Sequence, residues 1–221
     1  ALISMTNAYG AGLADSFTEA WGGSEFLCTS AGYADGTTDF TGIVQGVIDA
    51  GCTSVVLVSY AADGGQIIDE LAGAGWTGQI YGGDGVAEEG LATEASSSVD
   101  GIIALKPASA TMGTVGYVFA ALCGASADCA SGIYTAESFD AVTIMAFAAF
   151  TQKANPGITM AQAIAGTGQG WEGASGSISF LGNGDVPGAG YCVGLFSGDD
   201  AGAVSYDCTH HWDPANGLTE V

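Results

Sequence analysis

Apolar residues in the first half of the chain follow two alternating patterns. Short continuous apolar runs such as TSVVLVSY are typical of strands buried in a parallel sheet. Between them apolar residues recur at helical spacing, as Phe40, Val44 and Val47 do in DFTGIVQGVIDA. The predicted strands are ALISMT, SEFLCT, TSVVLVSY, QIYGG and VDGIIAL. Strands that alternate with helices predict an α/β fold, an open parallel sheet with flanking helices.

The pattern changes after Lys106 and Pro107, where three predicted helices follow one another: GTVGYVFAALCG, YTAESFDAVTIMAFAAFTQ and ITMAQAIAGTG. The second is apolar almost all round from Phe139 to Phe150, so we expect it to be covered on every side. The chain then returns to strands, with SGSISFL and an antiparallel pair, YCVGLF and AVSYDC, joined around Ser197-Gly198-Asp199-Asp200. We therefore predict one complete α/β lobe from residues 1–107 and 188–221, and a partial second lobe, helical with one strand, from 108–187.

The charge balance excludes two classes of partner. The chain has 24 acidic residues against two basic ones, Lys106 and Lys153, and a formal net charge of −22. Binding to nucleic acid or to an anionic membrane needs clustered lysine and arginine, so we predict neither partner. The simplest interpretation of the acidic surface is that it keeps the protein soluble.

The six cysteines, an even number, indicate disulfides. They form no CxxC pair and no zinc-finger spacing with histidine, and the alternative is free buried thiols. Disulfides form in oxidising compartments, so we predict a secreted protein that is periplasmic or extracellular, including the cell surface. Two pairs close short loops, and the third joins the second strand to the entrance of the third strand, which are neighbours if the sheet is wound sequentially. The predicted pairs are Cys28–Cys52, Cys123–Cys129 and Cys192–Cys208.

Three turns that follow predicted strands carry distinctive residues. They are TNAYG after the first strand, SYAADG after the third and GGDG after the fourth. Small ligands bind beyond the carboxyl ends of the strands in open α/β sheets, so these turns should converge on one rim. The glycines around Asp84 indicate that the backbone turns sharply and leaves room beside the carboxylate for a ligand head group.

The order and spacing of YGAG, TDFTGIVQGVIDAG, VVLVSYAADG, GGDG, YTAESFDAV and GSISFLGNGDVPGAGY resemble the type I periplasmic binding proteins of the leucine/isoleucine/valine-binding family. The resemblance implies a two-lobed solute receptor without a cofactor. Such a receptor closes over an amino acid or similar small polar molecule and delivers it to an ABC-type membrane permease or a signalling partner. The resemblance covers only the C-terminal two-thirds of such a receptor. It implies that the N-terminal part of the second lobe is missing, and that the apolar helix is covered by the missing segment or by self-association.

The same resemblance implies three ligand-binding residues. Tyr9 and Tyr60 would wall the site, and Asp84 would meet the ammonium group of the ligand. The family resembles this pattern with the longer glutamate at that position, which leaves the identity of the ligand open. The alternatives are that Asp84 caps the short helix after it and that the two tyrosines only pack on neighbouring turns. Asp39 is interpreted as a helix-start residue.

The sequence lacks the motifs of an enzyme. Adjacent side chains such as His210 and His211 point in different directions and lack a third metal ligand at useful spacing. GTGQGWEGASG lacks the GKS/T of a nucleotide loop, and no GxSxG elbow is present. We predict no enzymatic activity, metal or cofactor. The alternative to a solute receptor is a receptor-derived structural or surface assembly protein in which the pocket is idle.

Overall fold

The computed structural model of the protein describes residues 1–96, 99–108, 114–126, 129, 134–188, 190–198 and 203–221. The chain divides into two compact units. The first unit consists of Ala1–Pro107 and Gly190–Val221, and the second unit is Ala108–Ala189.

The first unit alternates strands and helices up to Pro107 and ends in three strands. Its strands are β1 (Leu2–Met5), β2 (Ser30–Tyr33), β3 (Ser54–Val58), β4 (Gln79–Gly82) and β5 (Ile103–Pro107), followed after the second unit by β8 (Tyr191–Gly198), β9 (Val204–Asp213) and β10 (Gly217–Glu220). Its helices are α1 (Ala8–Trp21), α2 (Thr41–Asp49), α3 (Ala61–Gly73) and α4 (Gly90–Glu94), with 3-10 turns at Ser24–Phe26 and Asp84–Val86.

These strands form one sheet in the order β10-β9-β8-β5-β4-β3-β1-β2. Strands β1 to β5 run parallel, whereas β5, β8, β9 and β10 pair antiparallel. The predicted open, mostly parallel sheet with flanking helices is confirmed. The expectation of sequential winding is wrong, because β1 lies between β2 and β3. Strand β10 was not predicted, and the acidic turn at Asp199 and Asp200 lies outside the described residues.

The core of the first unit lies between the sheet and α2 to α4. The predicted stripe on α2 is buried there, with Phe40, Val44 and Val47 at most 3% exposed. Strand β3 contributes Val55 and Leu57, which are fully buried. Burying a side chain of this size stabilises a fold by about 1.5–3 kcal/mol relative to leaving it in water. The apolar pattern of the sequence therefore accounts for how the helices pack on the sheet.

Two local predictions in the first unit are wrong for reasons of backbone geometry. SEFLCT is not a strand, because Gly22 and Gly23 have positive φ angles (101° and 129°) that end α1 and lead into the 3-10 turn. The second strand is the following SAGY segment, which pairs with β1. The predicted TNAYG turn is shorter than expected, because α1 already begins at Ala8. A Cβ at Gly10 would overlap the carbonyl oxygen of Met5, so glycine permits close packing of the helix on β1.

The structure contains the three disulfides that the sequence analysis predicts. Their Cα–Cα distances are 5.8, 5.2 and 5.6 Å for Cys28–Cys52, Cys123–Cys129 and Cys192–Cys208. The first joins the segments that precede β2 and β3, although β1 separates these strands in the sheet. The third crosslinks the antiparallel pair β8 and β9.

The second unit is helical with a two-stranded sheet in its described part. Its elements are α5 (Thr114–Cys123), α6 (Thr135–Ala154), α7 (Met160–Thr167), β6 (Trp171–Glu172) and β7 (Ser177–Ile178). A capping box between Thr159 and Gln162 starts α7. The described residues cover α6 on one side only, where Ile144 and Ala148 are buried. Five apolar side chains of α6 are 44–70% exposed: Phe139, Val142, Met145, Phe147 and Phe150.

Candidate functional site

The three predicted binding residues lie at one edge of the sheet. Strand β3 pairs in parallel with β1 on one side and with β4 on the other, so the carboxyl ends of these strands share an edge. Tyr9 lies in the first turn of α1, just beyond β1. Tyr60 precedes α3, just beyond β3, and Asp84 follows β4. The sequence therefore folds so that three separate turns meet at this rim.

We call Tyr9, Tyr60 and Asp84 the rim cluster, because the Tyr9 side chain contacts both of the others. The Tyr9 hydroxyl donates a hydrogen bond to Asp84 Oδ1 at 2.8 Å. The same hydroxyl accepts one from the backbone N–H of Gly85 at 3.1 Å. The rings of Tyr9 and Tyr60 stack with centroids 5.1 Å apart and an interplanar angle of 16°. The result is an aromatic wall with a carboxylate at its edge.

Burial and the neighbouring carboxylate keep the Tyr9 hydroxyl protonated. Burial raises the pKa of Tyr9 well above its ordinary value, and the hydrogen bond to Asp84 raises it further. Tyr9 is therefore a neutral donor at physiological pH. The Tyr60 side chain is 47% exposed, so the aromatic wall faces solvent on one side.

The glycines of the GGDG turn serve a different purpose from the predicted one. A Cβ at Gly85 would overlap the carbonyl oxygen of Ser59 and would lie 3.0 Å from the Tyr9 hydroxyl. A Cβ at Gly83 would lie 3.2 Å from the same hydroxyl. The space beside the glycine backbone is therefore filled by the protein's own turns. The glycines allow the turns to approach one another, which places Asp84 against Tyr9.

The alternative role of Asp84 as a helix cap is not the one that the geometry favours. The 3-10 turn that follows β4 begins at Asp84, and Gly83 occupies its N-cap position. Asp39 does act at a helix start, because its Oδ1 accepts a hydrogen bond from the Thr41 N–H at 3.0 Å. Hydrogen bonding from the Thr41 side chain, and then from its backbone N–H, lowers the pKa of Asp39. Asp39 thus acts at a helix start, as the sequence analysis expected.

Other acidic residues surround the rim. Asp35 follows β2 and accepts a hydrogen bond from the Asn7 side chain at 3.3 Å. Asp63 lies in the first turn of α3, and burial together with the charge of Asp35 raises its pKa. The first unit contains a single lysine or arginine, Lys106, and its Nζ lies 4.7 Å from the centroid of the Tyr206 ring. The rim is therefore a region of negative potential.

Two residues behind the rim were missed by the sequence analysis. Tyr33 is the last residue of β2, and its hydroxyl is hydrogen-bonded to Ser59 Oγ. Ser59 is fully buried between β3 and Tyr60. Both residues stand at the carboxyl ends of predicted or actual strands, where polar side chains meet, and this position could have identified them as site residues. Tyr33 could not be identified in this way, because the second strand was predicted at the wrong segment.

A second carboxylate with several hydrogen bonds lies in the second unit. Asp140 of α6 is 1% exposed. Its Oδ1 accepts from the Ala174 N–H at 2.8 Å, and its Oδ2 accepts from the N–H and the hydroxyl of Ser175, both at 2.7 Å. Asp140 thus fastens the turn between β6 and β7 to α6.

His210 and His211, which the sequence analysis considered as a metal site, each have a polar contact with a nearby residue of the chain. His211 Nδ1 lies 3.7 Å from Asp213 Oδ2, and His210 Nδ1 lies 3.1 Å from Thr209 Oγ1. Across the described ranges, histidine, cysteine and acidic side chains form no group of three or more that could hold a metal ion. Each helix in the described part of the chain is too short or too polar to cross a membrane.

Solved structures similar to this chain are solute-binding proteins. A leucine-binding protein, LivK from Thermotoga maritima, matches 93% of this chain and 59% of its own chain, with 19% identity and a TM-score of 0.72. A periplasmic binding protein type 1 from Bordetella pertussis Tohama I matches 94% of this chain and 60% of its own, with 14% identity and a TM-score of 0.74. An ABC transporter solute-binding protein from R. palustris, in complex with 4-hydroxybenzoate, matches 99% and 60%, with 15% identity and a TM-score of 0.70.

Sequence comparison adds no closer relationship. No protein-family model matches the chain, and no curated protein matches it. The chain spans about 60% of the length of the solved structures that it matches. At these identities the likeness establishes the fold. The chain has the fold of the type I periplasmic binding proteins.

Proposed function

We propose that the protein is an extracytoplasmic solute receptor whose rim cluster binds the ammonium group of an amino acid or a similar small polar amine. The observation that carries this proposal is the Asp84 carboxylate beside the stacked rings of Tyr9 and Tyr60 at the carboxyl edge of the sheet. Open α/β sheets bind their ligands at this edge.

The chemistry of the rim cluster suits an ammonium group. A hydrogen bond between an ammonium and a carboxylate is about twice as strong as one between neutral groups. The Tyr9 hydroxyl orients the Asp84 carboxylate, and the exposed side of Tyr60 offers an aromatic face to the aliphatic or cationic part of a ligand. Aromatic side chains with a few placed polar groups are typical of small-molecule sites.

Charge favours an amine over an anionic aromatic acid. One similar structure holds 4-hydroxybenzoate, so the fold accommodates both types of ligand. In this chain Asp35, Asp63 and Asp84 lie at or near the rim, and the net charge is −22. A ligand that carries only a carboxylate would be repelled there, whereas a zwitterion or cation would be attracted.

The location and the partner follow from the same proposal. Three disulfides favour an oxidising compartment, either the periplasm or the outside of the cell. A receptor there would deliver its ligand to a membrane permease of the ABC type; the similar solute-binding protein from R. palustris is named as part of an ABC transporter. The alternative, a surface protein with an idle pocket, predicts that the rim cluster binds no solute.

Ligand titration of the purified chain tests the proposal. A thermal-shift and NMR screen against the twenty amino acids should identify at least one ligand. Asp84→Asn should then weaken binding of that amino acid by about 30-fold or more, because removing one partner of a charged pair costs about 2–5 kcal/mol. Asp39→Asn is the matched control, since Asp39 acts at a helix start, and it should leave affinity unchanged. Equal affinity of the wild type and Asp84→Asn would remove Asp84 from the site.

A further inference from the structure

We infer that Tyr33 and Ser59 are positioning residues of this site, which hold the turn that carries Tyr60 against the turn that carries Asp84. The inference rests on the proposed function, because it concerns ligand binding at the rim cluster. It extends the site to the end of β2. This strand lies next to β1 at the edge of the sheet and contributes no member of the rim cluster.

Tyr33 is itself held firmly at the end of β2. Its backbone carbonyl accepts hydrogen bonds from the N–H of Thr6 at 2.7 Å and from the Thr6 hydroxyl at 3.1 Å. Its ring meets Phe40 edge to face, with centroids 5.0 Å apart. The side chain is 4% exposed. Its hydroxyl therefore has a fixed position from which to bond Ser59.

Ser59 contacts both turns of the site and so links their positions to that of the Tyr33 hydroxyl. The Ser59 hydroxyl donates to the carbonyl oxygen of Tyr60 at 3.1 Å. A serine hydroxyl has one proton, so the Tyr33 hydroxyl must be the donor in its bond to Ser59 Oγ. The carbonyl oxygen of Ser59 also faces Gly85 so closely that a Cβ there would overlap it. Ser59 thus contacts the backbone on either side of the gap between Tyr60 and Asp84.

Loss of the Tyr33 hydroxyl should therefore change the geometry of the rim cluster and its affinity for ligand. In Tyr33→Phe the buried Ser59 hydroxyl loses its donor, and the serine can rotate away from the Tyr60 carbonyl. One buried hydrogen bond of this type corresponds to about a threefold to tenfold change in an equilibrium constant. We expect the affinity for the amino acid found in the screen to fall by that factor, although Tyr33 does not touch the ligand.

Tyr206→Phe is the matched control. Tyr206 is a partly buried tyrosine of the first unit, and its hydroxyl donates to the carbonyl oxygen of Ala104 at 2.9 Å. It lies on β9, which three strands separate from β3. Both variants lose one tyrosine hydrogen bond, so both should lower the melting temperature. Only Tyr33→Phe should weaken ligand binding.

A measurement without ligand separates this inference from the proposed function. Backbone amide NMR shifts of Tyr60 and Gly85 should change in Tyr33→Phe and stay unchanged in Tyr206→Phe. Ser59→Ala should reproduce the shifts, and the double variant Tyr33→Phe/Ser59→Ala should add nothing further, because the two residues act through one hydrogen bond. If no amino acid binds the wild type, the proposed function fails while these shifts still test the positioning. Unchanged amide shifts, or equal affinity losses in Tyr33→Phe and Tyr206→Phe, would overturn the inference.

Discussion

Two aspartates, one in each unit, show how differently this fold uses a carboxylate. Asp140 in the second unit is buried and receives three hydrogen bonds from the Ala174–Ser175 turn. Asp84 in the first unit stands at the rim of the sheet and accepts a hydrogen bond from the Tyr9 hydroxyl, whose ring stacks on that of Tyr60. A carboxylate held by backbone donors in the interior stabilises a turn. A carboxylate that an aromatic hydroxyl orients at a strand end is suited to a ligand.

The two units that contain these aspartates also differ in their buried cores. The first unit has a continuous core beneath the rim, with residues such as Ile3, Leu57 and Phe196 fully buried. The described part of the second unit buries Ile144, Ala148 and Ala163, while other large apolar residues of α6 are exposed. The rim cluster therefore belongs to a unit with a continuous buried core, whereas the described core around Asp140 is smaller. Substitutions in both units and one pH series sharpen this comparison.

The largest effect is expected at Asp140. Asp140→Ala leaves the N–H groups of Ala174 and Ser175 without their acceptor in a largely buried turn, at a cost of about 2–5 kcal/mol. Hydrogen exchange at these two amides should accelerate accordingly. Glu137→Gln, in the exposed first turn of the same helix, is the control and should change stability by less than about 0.5 kcal/mol. Unchanged protection of both amides in Asp140→Ala would contradict the structural role.

The next effect is expected at the glycine beside Asp84. Gly85→Ala would force a methyl group against the Ser59 carbonyl, and overpacking of this kind costs about 1–3 kcal/mol. Gly42→Ala is the opposite control. Gly42 lies in α2 with open space around its Cβ position, so alanine there should stabilise the protein by about 0.5–1 kcal/mol. Urea unfolding of both variants should therefore show changes of opposite sign.

Alkaline pH should destabilise the first unit through its buried tyrosines. Burial raises the pKa of Tyr33 to about 12, against an ordinary value of about 10. The folded state then keeps a proton that the unfolded state loses, so this stability is complete below pH 10 and is lost as pH rises toward 12. The free energy of unfolding should fall over that window. In Tyr33→Phe the fall should be shallower; an identical pH profile for the wild type and the variant would count against a buried, neutral Tyr33.

The smallest effect is expected at Asp63. Burial and the Asp35 charge raise the pKa of this carboxyl, so the folded state binds its proton more tightly than the unfolded state does. The charged form at neutral pH is therefore slightly destabilising. Asp63→Asn should raise the melting temperature a little at pH 7, and the gain should disappear below the unfolded pKa of about 4. A melting temperature that falls at pH 7 would show that Asp63 makes a favourable contact instead.

Much of the fold could be predicted because apolar periodicity reports burial directly. The strands β1, β3, β4 and β5 and the stripe on α2 follow from it, as does the antiparallel pair β8 and β9. The second strand could not be predicted in this way, because SAGY consists mainly of small residues while the preceding SEFLCT is more apolar. Positive φ angles at Gly22 and Gly23 decided the outcome, and apolar periodicity does not report them.

Residues of the candidate site could be predicted where the strand that precedes them was placed correctly. Tyr9, Tyr60 and Asp84 follow strands that were placed correctly, so their meeting at one rim could be expected. Tyr33 depended on the misplaced strand, and the role of Gly85 depends on a backbone contact with Ser59 across two turns. Contacts of that kind follow from how the turns pack together, which apolar periodicity does not describe.

The central claim is that Asp84 binds an ammonium group, and a comparison of two ligands tests it most directly. Titration should use the amino acid that binds best and its deaminated analogue, which keeps the side chain and the carboxylate. The wild type should prefer the amino acid by about 30-fold or more, and Asp84→Asn should lose most of that preference because the preference resides in one charged pair. The same preference in the wild type and in Asp84→Asn would contradict the account.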